Sequence, residues 1–423
     1  MAERSPASPK RASGRLRRIL RWTLAVPALL LALALGVLVL GGSSSFGGRA
    51  EGTRLARMQH SPQWHGDAFA NPQAMWGDMP RALSRMFEST PHSVPDAPIV
   101  SVSDASQYTR PSRSGLRVTW FGHSTTLVEL DGVNVLTDPL WSERPSPLQW
   151  IGPKRWFAPP LPLRALPRID AVVISHDHYD HLDEATIRTL QASSSAVFVV
   201  PLGVGAHLVH WGVPDSRIVE LDWWEHTRIG GVDIVATPAR HASGRVVPQS
   251  DETLWAGYAL IGGRHRVFYS GDTGLHDGLR EIGTRFGPFD VAMIESGQYD
   301  ADWPDWHMGP EQAVAANTLV RGKALLPVHW GLLKLAHHGW TEPVERVLAA
   351  ARCTDTPVLM PQPGQSFEPA LHPDFTQWWP PLPWQDAKAR PVIATKNGDP
   401  KVRYPLPACT PGTNAAMPYS API

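Results

Sequence analysis

Apolar and polar residues divide the chain into zones. Residues 22–42 form one uncharged run dominated by Leu, Ala and Val, long enough to cross a bilayer as a helix, which needs about 20 apolar residues. Residues 43–114 are polar and rich in Pro, Gly and Ser, with short apolar pieces such as Ala82 to Phe87. They predict a tether plus an extension packed on the main domain. From Leu116 the texture turns β-rich: Arg117 to Phe121, Thr125 to Leu130 and Val133 to Leu136, the last two joined by the hairpin signal Asp131-Gly132. Further strands are expected at 171–174, 196–200, 232–236, 256–261, 267–269, 291–294 and 324–326, and helices at 183–192, 204–211, 310–320 and 343–351. Strand runs followed by strands alternating with helices predict an α/β layered domain over residues 115–370. Residues 371–423, rich in Pro and Trp, read as an irregular tail wrapped on the surface.

Charge orients the apolar run. Arg11, Arg15, Arg17, Arg18 and Arg21 precede it and Arg49 alone closely follows it, which places residues 1–21 in the cytoplasm and the body of the chain outside, on the periplasmic side in a bacterium. A cleaved signal has a shorter apolar centre of about 7 to 15 residues, so a retained transmembrane anchor is favoured. Gly41 to Ser45 leaves cleavage as an alternative, and Arg17-Arg18 loosely resembles a twin-arginine export signal.

Over the whole chain 39 Lys and Arg balance 39 Asp and Glu, so no global field favours nucleic acid, and none is expected as a partner. Cys353 and Cys409 are too few for a disulfide framework, though they are enough for one bridge in an exported protein. Metal binding must therefore use His and carboxylate. The 18 Trp and 42 Pro exceed usual abundance. Runs such as Trp303 to Trp306 and Trp378 to Trp384 suit rings that cap the core and, as a set, a surface that meets lipid headgroups.

Directly after an apolar strand comes His176-Asp177-His178-Tyr179-Asp180-His181. Three imidazoles and two carboxylates crowded together have little purpose unless they hold a cation, and neutral imidazole with carboxylate suits zinc and its neighbours. His176 and His178 share one side of an extended segment, while Asp180 and His181 point to a second position close by. His241, Asp272 and His329 each follow an apolar run, so one rim of a sheet sandwich can gather all seven.

The pattern His-x-His-x-Asp-His, with a later His, Gly271-Asp272-Thr273 and a final His, resembles the metallo-β-lactamase superfamily over about Leu116 to Phe367. The resemblance implies an αββα sandwich with metals at its edge. One metal would take His176, His178 and His241, the other Asp180, His181 and His329, and Asp272 would bridge them. Two Zn2+ are implied, with iron or manganese as alternatives.

A narrower resemblance, to the N-acylphosphatidylethanolamine-hydrolysing phospholipase D branch, rests on Leu136 to Pro139, Gln149 to Trp156, Ser270 to Gly274, His307 to Ala313 and Pro327 to Gly331. It implies a membrane-facing phosphodiesterase that releases N-acylethanolamine and phosphatidic acid, a phospholipid substrate and a homodimer. Two divalent ions lower the pKa of a shared water, whose hydroxide would attack phosphorus in line with the leaving alkoxide. Asp180 and Asp272 would orient it, His307 would assist the phosphate or the leaving group, and Gln149 and Trp150 would line the headgroup site. Asp177 departs from the residue that relatives often carry there.

Other histidines have ordinary explanations. His123 and Asp138 read as supports for the ligands rather than ligands, and His337-His338 as a solvated loop or pocket rim. His60, His65, His92, His207, His210 and His226 have no ligand context. Two other functions remain on the sequence: a sugar-phosphate lactonase or other small phosphoester hydrolase, and a membrane-tethered binding module with structural metals.

Overall fold

Alternating side chains along each strand sort the apolar positions onto two faces, and each face finds its own partner layer. The computed structural model describes residues 21–405 except 34, 35, 37–41, 86, 87, 89, 247 and 248. Residues 22–33 of the expected anchor are helical, and residues 34, 35 and 37–41 of it lie outside the described residues. Among the described residues no helix is long and apolar enough to cross a membrane. Cys409 and the rest of 406–423 also lie outside them.

The extension carries helices α1 (Gly52–Gln59) and α2 (Met79–Ser84) and is docked on the domain from its first residues. Trp211 Nε1 donates to Ser44 O at 2.8 Å, and Arg54 pairs with Glu220 at 2.6 Å.

The domain itself opens with an antiparallel meander of β1 (Leu116–Trp120), β2 (Thr126–Leu130) and β3 (Val133–Thr137). Asp131 and Gly132 both take positive φ at the β2–β3 turn, 49° and 91°, which is the backbone a two-residue hairpin requires. Strands β4 (Ala171–Val173), β5 (Val197–Pro201) and β6 (Ile218–Leu221) add in parallel. The second sheet begins with β7 (His226–Ile229), β8 (Val232–Thr237), β9 (Gly257–Ile261) and β10 (Arg266–Tyr269), all antiparallel, then adds β11 (Val291–Glu295) and β12 (Leu325–Val328) in parallel. A short β13 (Ser366–Phe367) closes the free edge of β1.

Val118, Val128, Val135 and Val199 of the first sheet meet Ile234, Ala259, Val267 and Met293 of the second in one shared core. Leu127, Leu136, Val172 and Phe198 face the other way, against Ile187 and Leu190 of α3 (Glu184–Ser193) and Leu208 of α4 (Gly205–His210). On the far sheet lie α5 (Gly278–Phe286), α6 (Pro310–Val320) and α7 (Glu342–Ala351), and Ala313 and Val344 join the core. Arg346 of α7 is fully buried and donates to Glu311 of α6 at 2.7 and 2.9 Å, so that ion pair is desolvated and bidentate. The order is helix, sheet, sheet, helix.

Residues after 371 do more than wrap the surface. Trp379, Val392 and Ala394 are buried, and Trp378 packs against Trp120, Trp330 and Trp340. For these rings the core-capping role holds.

Candidate metal centre

Each donor sits where a strand has just ended. The chain leaves β4 through Ile174-Ser175 into the run 176–181, leaves β8 towards His241, β10 towards Asp272 and β12 directly into His329. Turning sharply off a strand end distorts the backbone. His123, Asp138 and His329 hold φ of 54°, 33° and 65°, and Gly271, just before Asp272, holds 58°. Non-glycine residues there cost of order 1–3 kcal/mol each and persist where the surroundings over-determine them. His329 N donates to His123 O at 2.8 Å and His123 N to Trp330 O at 3.0 Å, which stitches loops of the two sheets together.

The seven expected ligands converge. His176 Nε2 lies 2.8 Å from His178 Nδ1, which lies 3.3 Å from His241 Nε2. Beside this trio, His181 Nε2 is 3.3 Å from Asp180 Oδ2. Asp272 Oδ2 stands between the groups, 3.0 Å from His181 Nε2, 3.2 Å from His329 Nε2 and 3.9 Å from both His176 Nε2 and His241 Nε2.

Outer partners decide which nitrogen faces inward. His241 Nδ1 meets the carbonyl of Trp306 at 3.0 Å and His181 Nδ1 meets the carboxylate of Asp138 at 2.6 Å. Both partners only accept, so Nδ1 carries the proton in each ring. His241 keeps a lone pair on Nε2; burial opposes charge on His181, but Asp272 and Asp180 outweigh it and raise that ring well above 6.5, so a cation at its Nε2 would take the place of a proton. His329 Nδ1 has Ser124 Oγ at 3.1 Å, and His176 Nδ1 has Ser175 Oγ at 2.9 Å. Asp138 is held in turn by the Ser175 backbone N–H at 2.7 Å, by Ser175 Oγ and by the Tyr269 hydroxyl from the opposite sheet. His123 Nε2 sits 2.8 Å from Asp180 Oδ2. Asp138 thus stands as the support the sequence suggested, while His123 also lies within reach of Asp180, His181 and His329.

Burial pushes His176, His241 and His329 well below 6.5, so they are neutral donors. Burial also opposes charge on Asp180 and Asp272. The neighbouring imidazoles, His181 foremost, outweigh it and hold both carboxyls well below their usual range. His181 Nε2 and Asp272 Oδ1 are buried and make no hydrogen bond. Converging lone pairs, buried carboxylates and unsatisfied inward atoms fit divalent cations, and the nitrogen and oxygen donor set admits zinc, iron or manganese.

Over the cluster opens a cavity of about 270 Å³, lined by Met79, Gln249, Gln298, Trp303, Trp306, His307 and Leu335 together with donor residues. His307 Nδ1 lies 4.0 Å from Asp272 Oδ2, at the cluster as expected. Gln149 and Trp150, expected at the headgroup site, do not line this cavity. Both are exposed on a loop after β3, and the Gln149 amide is spent on Arg144 O at 2.9 Å within that loop.

Asp177 faces away from the cluster, accepting from Gly244 N at 2.7 Å and lying 3.3 Å from His207 Nε2. His337 pairs with Asp300 and His338 is buried against Tyr299, so this pair is not a solvated loop. One residue escaped the sequence reading: Glu295, the last residue of β11, is fully buried with Oε2 3.5 Å from His307 Nδ1. A carboxylate ending an otherwise apolar strand, Val-Ala-Met-Ile-Glu, was the available signal.

The profile of the beta-lactamase superfamily domain matches residues 133–330. An uncharacterized protein of Mycobacterium tuberculosis is 45% identical over 352 residues, covering 80% of this chain and 92% of that protein. N-acyl-phosphatidylethanolamine-hydrolyzing phospholipase D 1 of Caenorhabditis elegans is 35% identical over 293 residues, covering 64% of this chain and 82% of the worm protein. Among solved structures, the metallo hydrolase Igni18 of Ignicoccus hospitalis aligns with 25% identity and a TM-score of 0.47 over 60% of this chain and 98% of its own.

Proposed function

Because this chain belongs to the metallo-β-lactamase superfamily and is a metal-dependent hydrolase of that fold, we propose that it is a two-metal phosphodiesterase acting on N-acylphosphatidylethanolamine-type phospholipids. Its products are N-acylethanolamine and phosphatidic acid. The observation that carries this reading is the gathering of donors from both sheets around Asp272 Oδ2, in a chain similar to the worm phospholipase D over most of that enzyme's length.

His176, His178 and His241 would hold one cation, Asp180, His181 and His329 the other, with Asp272 within reach of both groups. Two divalent cations, zinc in our reading, would supply Lewis acidity that lowers the pKa of water and neutralises charge on a phosphoryl oxygen. The chain's own groups do the rest. Asp180 and Asp272 offset cation charge and accept a hydrogen bond from water. Asp138, Ser124 and the Trp306 carbonyl fix the imidazoles. His307, facing the cavity, delivers a proton to the leaving oxygen. Trp303, Trp306, Met79 and Leu335 give the mouth an apolar wall suited to acyl chains.

We read residues 22–42 as a membrane anchor that leaves the catalytic domain outside the cytoplasm, and the active form as a homodimer.

The test is mass-spectrometric product analysis after incubating metal-analysed protein, and Asp180→Asn beside it, with N-acylphosphatidylethanolamine in detergent micelles. Both products from the wild type alone support the reading. Bound metal with neither product transfers it to a lactonase or small phosphoester hydrolase.

A further inference from the structure

The uncharged N-terminal run ends at Gly42, and Gly42 is buried against the domain. A methyl placed on it would meet Pro147 Cβ at 3.3 Å and Leu148 Cδ2 at 3.7 Å. Pro147 and Leu148 lead directly into Gln149, Trp150 and Ile151, where Trp150 is 67% and Ile151 53% exposed.

That loop spends its polar groups on itself. The Gln149 amide bonds Arg144 O at 2.9 Å and Arg144 N at 3.3 Å, and Arg144 donates to Gly152 O. Leu148 is buried as its root, and the two apolar tips are left over. Indole beside an aliphatic residue is the pairing favoured where a protein meets lipid, since the ring has an apolar body and a polar edge.

From Gly42 onward the chain is bonded to the domain. Ser44 and Ser45 hydroxyls donate to Glu184 at the start of α3, Arg245 Nε donates to Ser45 O at 2.8 Å, and Trp211 Nε1 to Ser44 O at 2.8 Å. A free linker gains at most about 3.6 Å per residue, and here the first residues after Gly42 are already bonded. The chain from Gly42 to Ser45 is therefore held against the domain, and Gly42 touches the root of the loop.

Topology adds the direction. β3 and β4 are parallel neighbours, so the loop that follows β3 and the metal-binding run that follows β4 leave the same sheet edge. Trp141 N and Ser142 N, where the loop begins, both donate to Asp183, two residues past His181.

We propose that the Trp150–Ile151 loop is a lipid-contact site that seats the metal-bearing rim against the phospholipid bilayer holding the N-terminal run. The proposal rests on residues 22–42 being a membrane segment. It gives Trp150 a function other than the headgroup lining expected from the sequence, and Ile151 shares it: they hold the cavity edge at the surface from which a lipid is drawn.

The test uses the full chain in phosphatidylcholine vesicles, with the photo-crosslinker p-benzoylphenylalanine replacing Ile151 or, on the exposed face of α5, Arg280. Lipid adducts at 151 and none at 280 are expected. Protein that floats with the vesicles yet gives no adduct at 151, or equal adducts at both positions, overturns the loop proposal and leaves the membrane segment standing. Protein that does not float overturns both. Ile151→Asp supplies an independent arm: it is expected to lower hydrolysis of N-acylphosphatidylethanolamine carried in those vesicles by about tenfold, as apolar contact area with the bilayer is lost, with the micellar rate unchanged. An equal fall in both rates overturns the proposal. A wild type without hydrolysis on either substrate removes the phospholipase reading and leaves the crosslinking result intact.

Discussion

The carboxylate of Asp138 lies 2.6 Å from Nδ1 of His181, and both side chains are fully buried. Asp138 comes from the end of a strand in the first sheet and also accepts from Tyr269 of the second, so one carboxylate couples sheet packing to the orientation of a ligand. Asp138→Asn keeps the shape but removes the charge and one acceptor oxygen. Such outer partners typically govern metal affinity or activity by about 10- to 100-fold. We expect a loss of that size in retained metal, measured by elemental analysis after dialysis, with the fold intact by circular dichroism. Undiminished metal content would sink this account of Asp138.

Asp272 and His241 should differ in what they release. Asp272 Oδ2 lies within 3.9 Å of imidazoles from both groups, whereas His241 Nε2 closes only the His176–His178 trio. Asp272→Asn is expected to deplete both cations and to lower hydrolysis by about 10²- to 10³-fold or more, the scale for losing a principal charge-stabilising group. His241→Ala should deplete one cation and retain the other. Titration with a chromophoric chelator counts both, and equal stoichiometries in the two variants would contradict a bridging carboxylate.

Glu295 and His307 form a pair, of which His307 lines the cavity. Burial pushes Glu295 up to about 7. Burial opposes charge on His307 too, but Glu295 outweighs it and raises the imidazole above 6.5. A raised His pKa extends its protonated form to higher pH, so the alkaline limb of kcat belongs to the pH at which His307 loses its proton. Glu295→Gln removes the stabilising carboxylate and should move that limb to lower pH, with kcat falling by about 10- to 100-fold at pH 8. A pH–rate profile displaced upward, or not at all, rejects Glu295 as the residue that holds the proton there.

Much of this architecture was legible because strong local signals agreed with tertiary demand. The run 171–174 is apolar and β-branched, and the residues after it have no purpose short of a cation, so strand and site announced each other. The helix at 310–320 matched its expectation end to end. Weak signals failed where tertiary contacts decide. β6 is only four residues with a Glu inside it, and β7, His-Thr-Arg-Ile, is an edge strand whose polar face meets water. The helix 278–286 carries two glycines, which lower propensity, yet Leu279 and Ile282 share the buried face that stabilises it. Gln149 and Trp150 lie outside the cavity lining, because a motif fixes loop sequence without fixing which way the loop turns. Glu295 was missed since only the fold brings it to His307.

His276, which is not one of the metal donors, supplies a pH prediction. It is buried and its Nε2 has no hydrogen-bond partner. Burial, reinforced by the positive charge of Arg240, lowers it to about 4. An unfolded chain binds that proton near pH 6.5 while the folded chain refuses it until about 4, so between those values the unfolded state holds more protons. By linkage, stability contributed by the neutral ring is complete above 6.5 and is lost as pH falls through this window. At pH 4.5 the loss from this group alone should be about 2–3 kcal/mol. His276→Gln cannot titrate. It leaves a buried amide in place of the ring and lowers stability at pH 7.5, yet the further drop between pH 7.5 and 4.5 should be smaller than in the wild type by that amount. Urea unfolding of metal-free protein at the two pH values measures both drops without interference from cation release. Parallel losses in wild type and variant would show that His276 takes up its proton in the folded state as readily as in the unfolded chain.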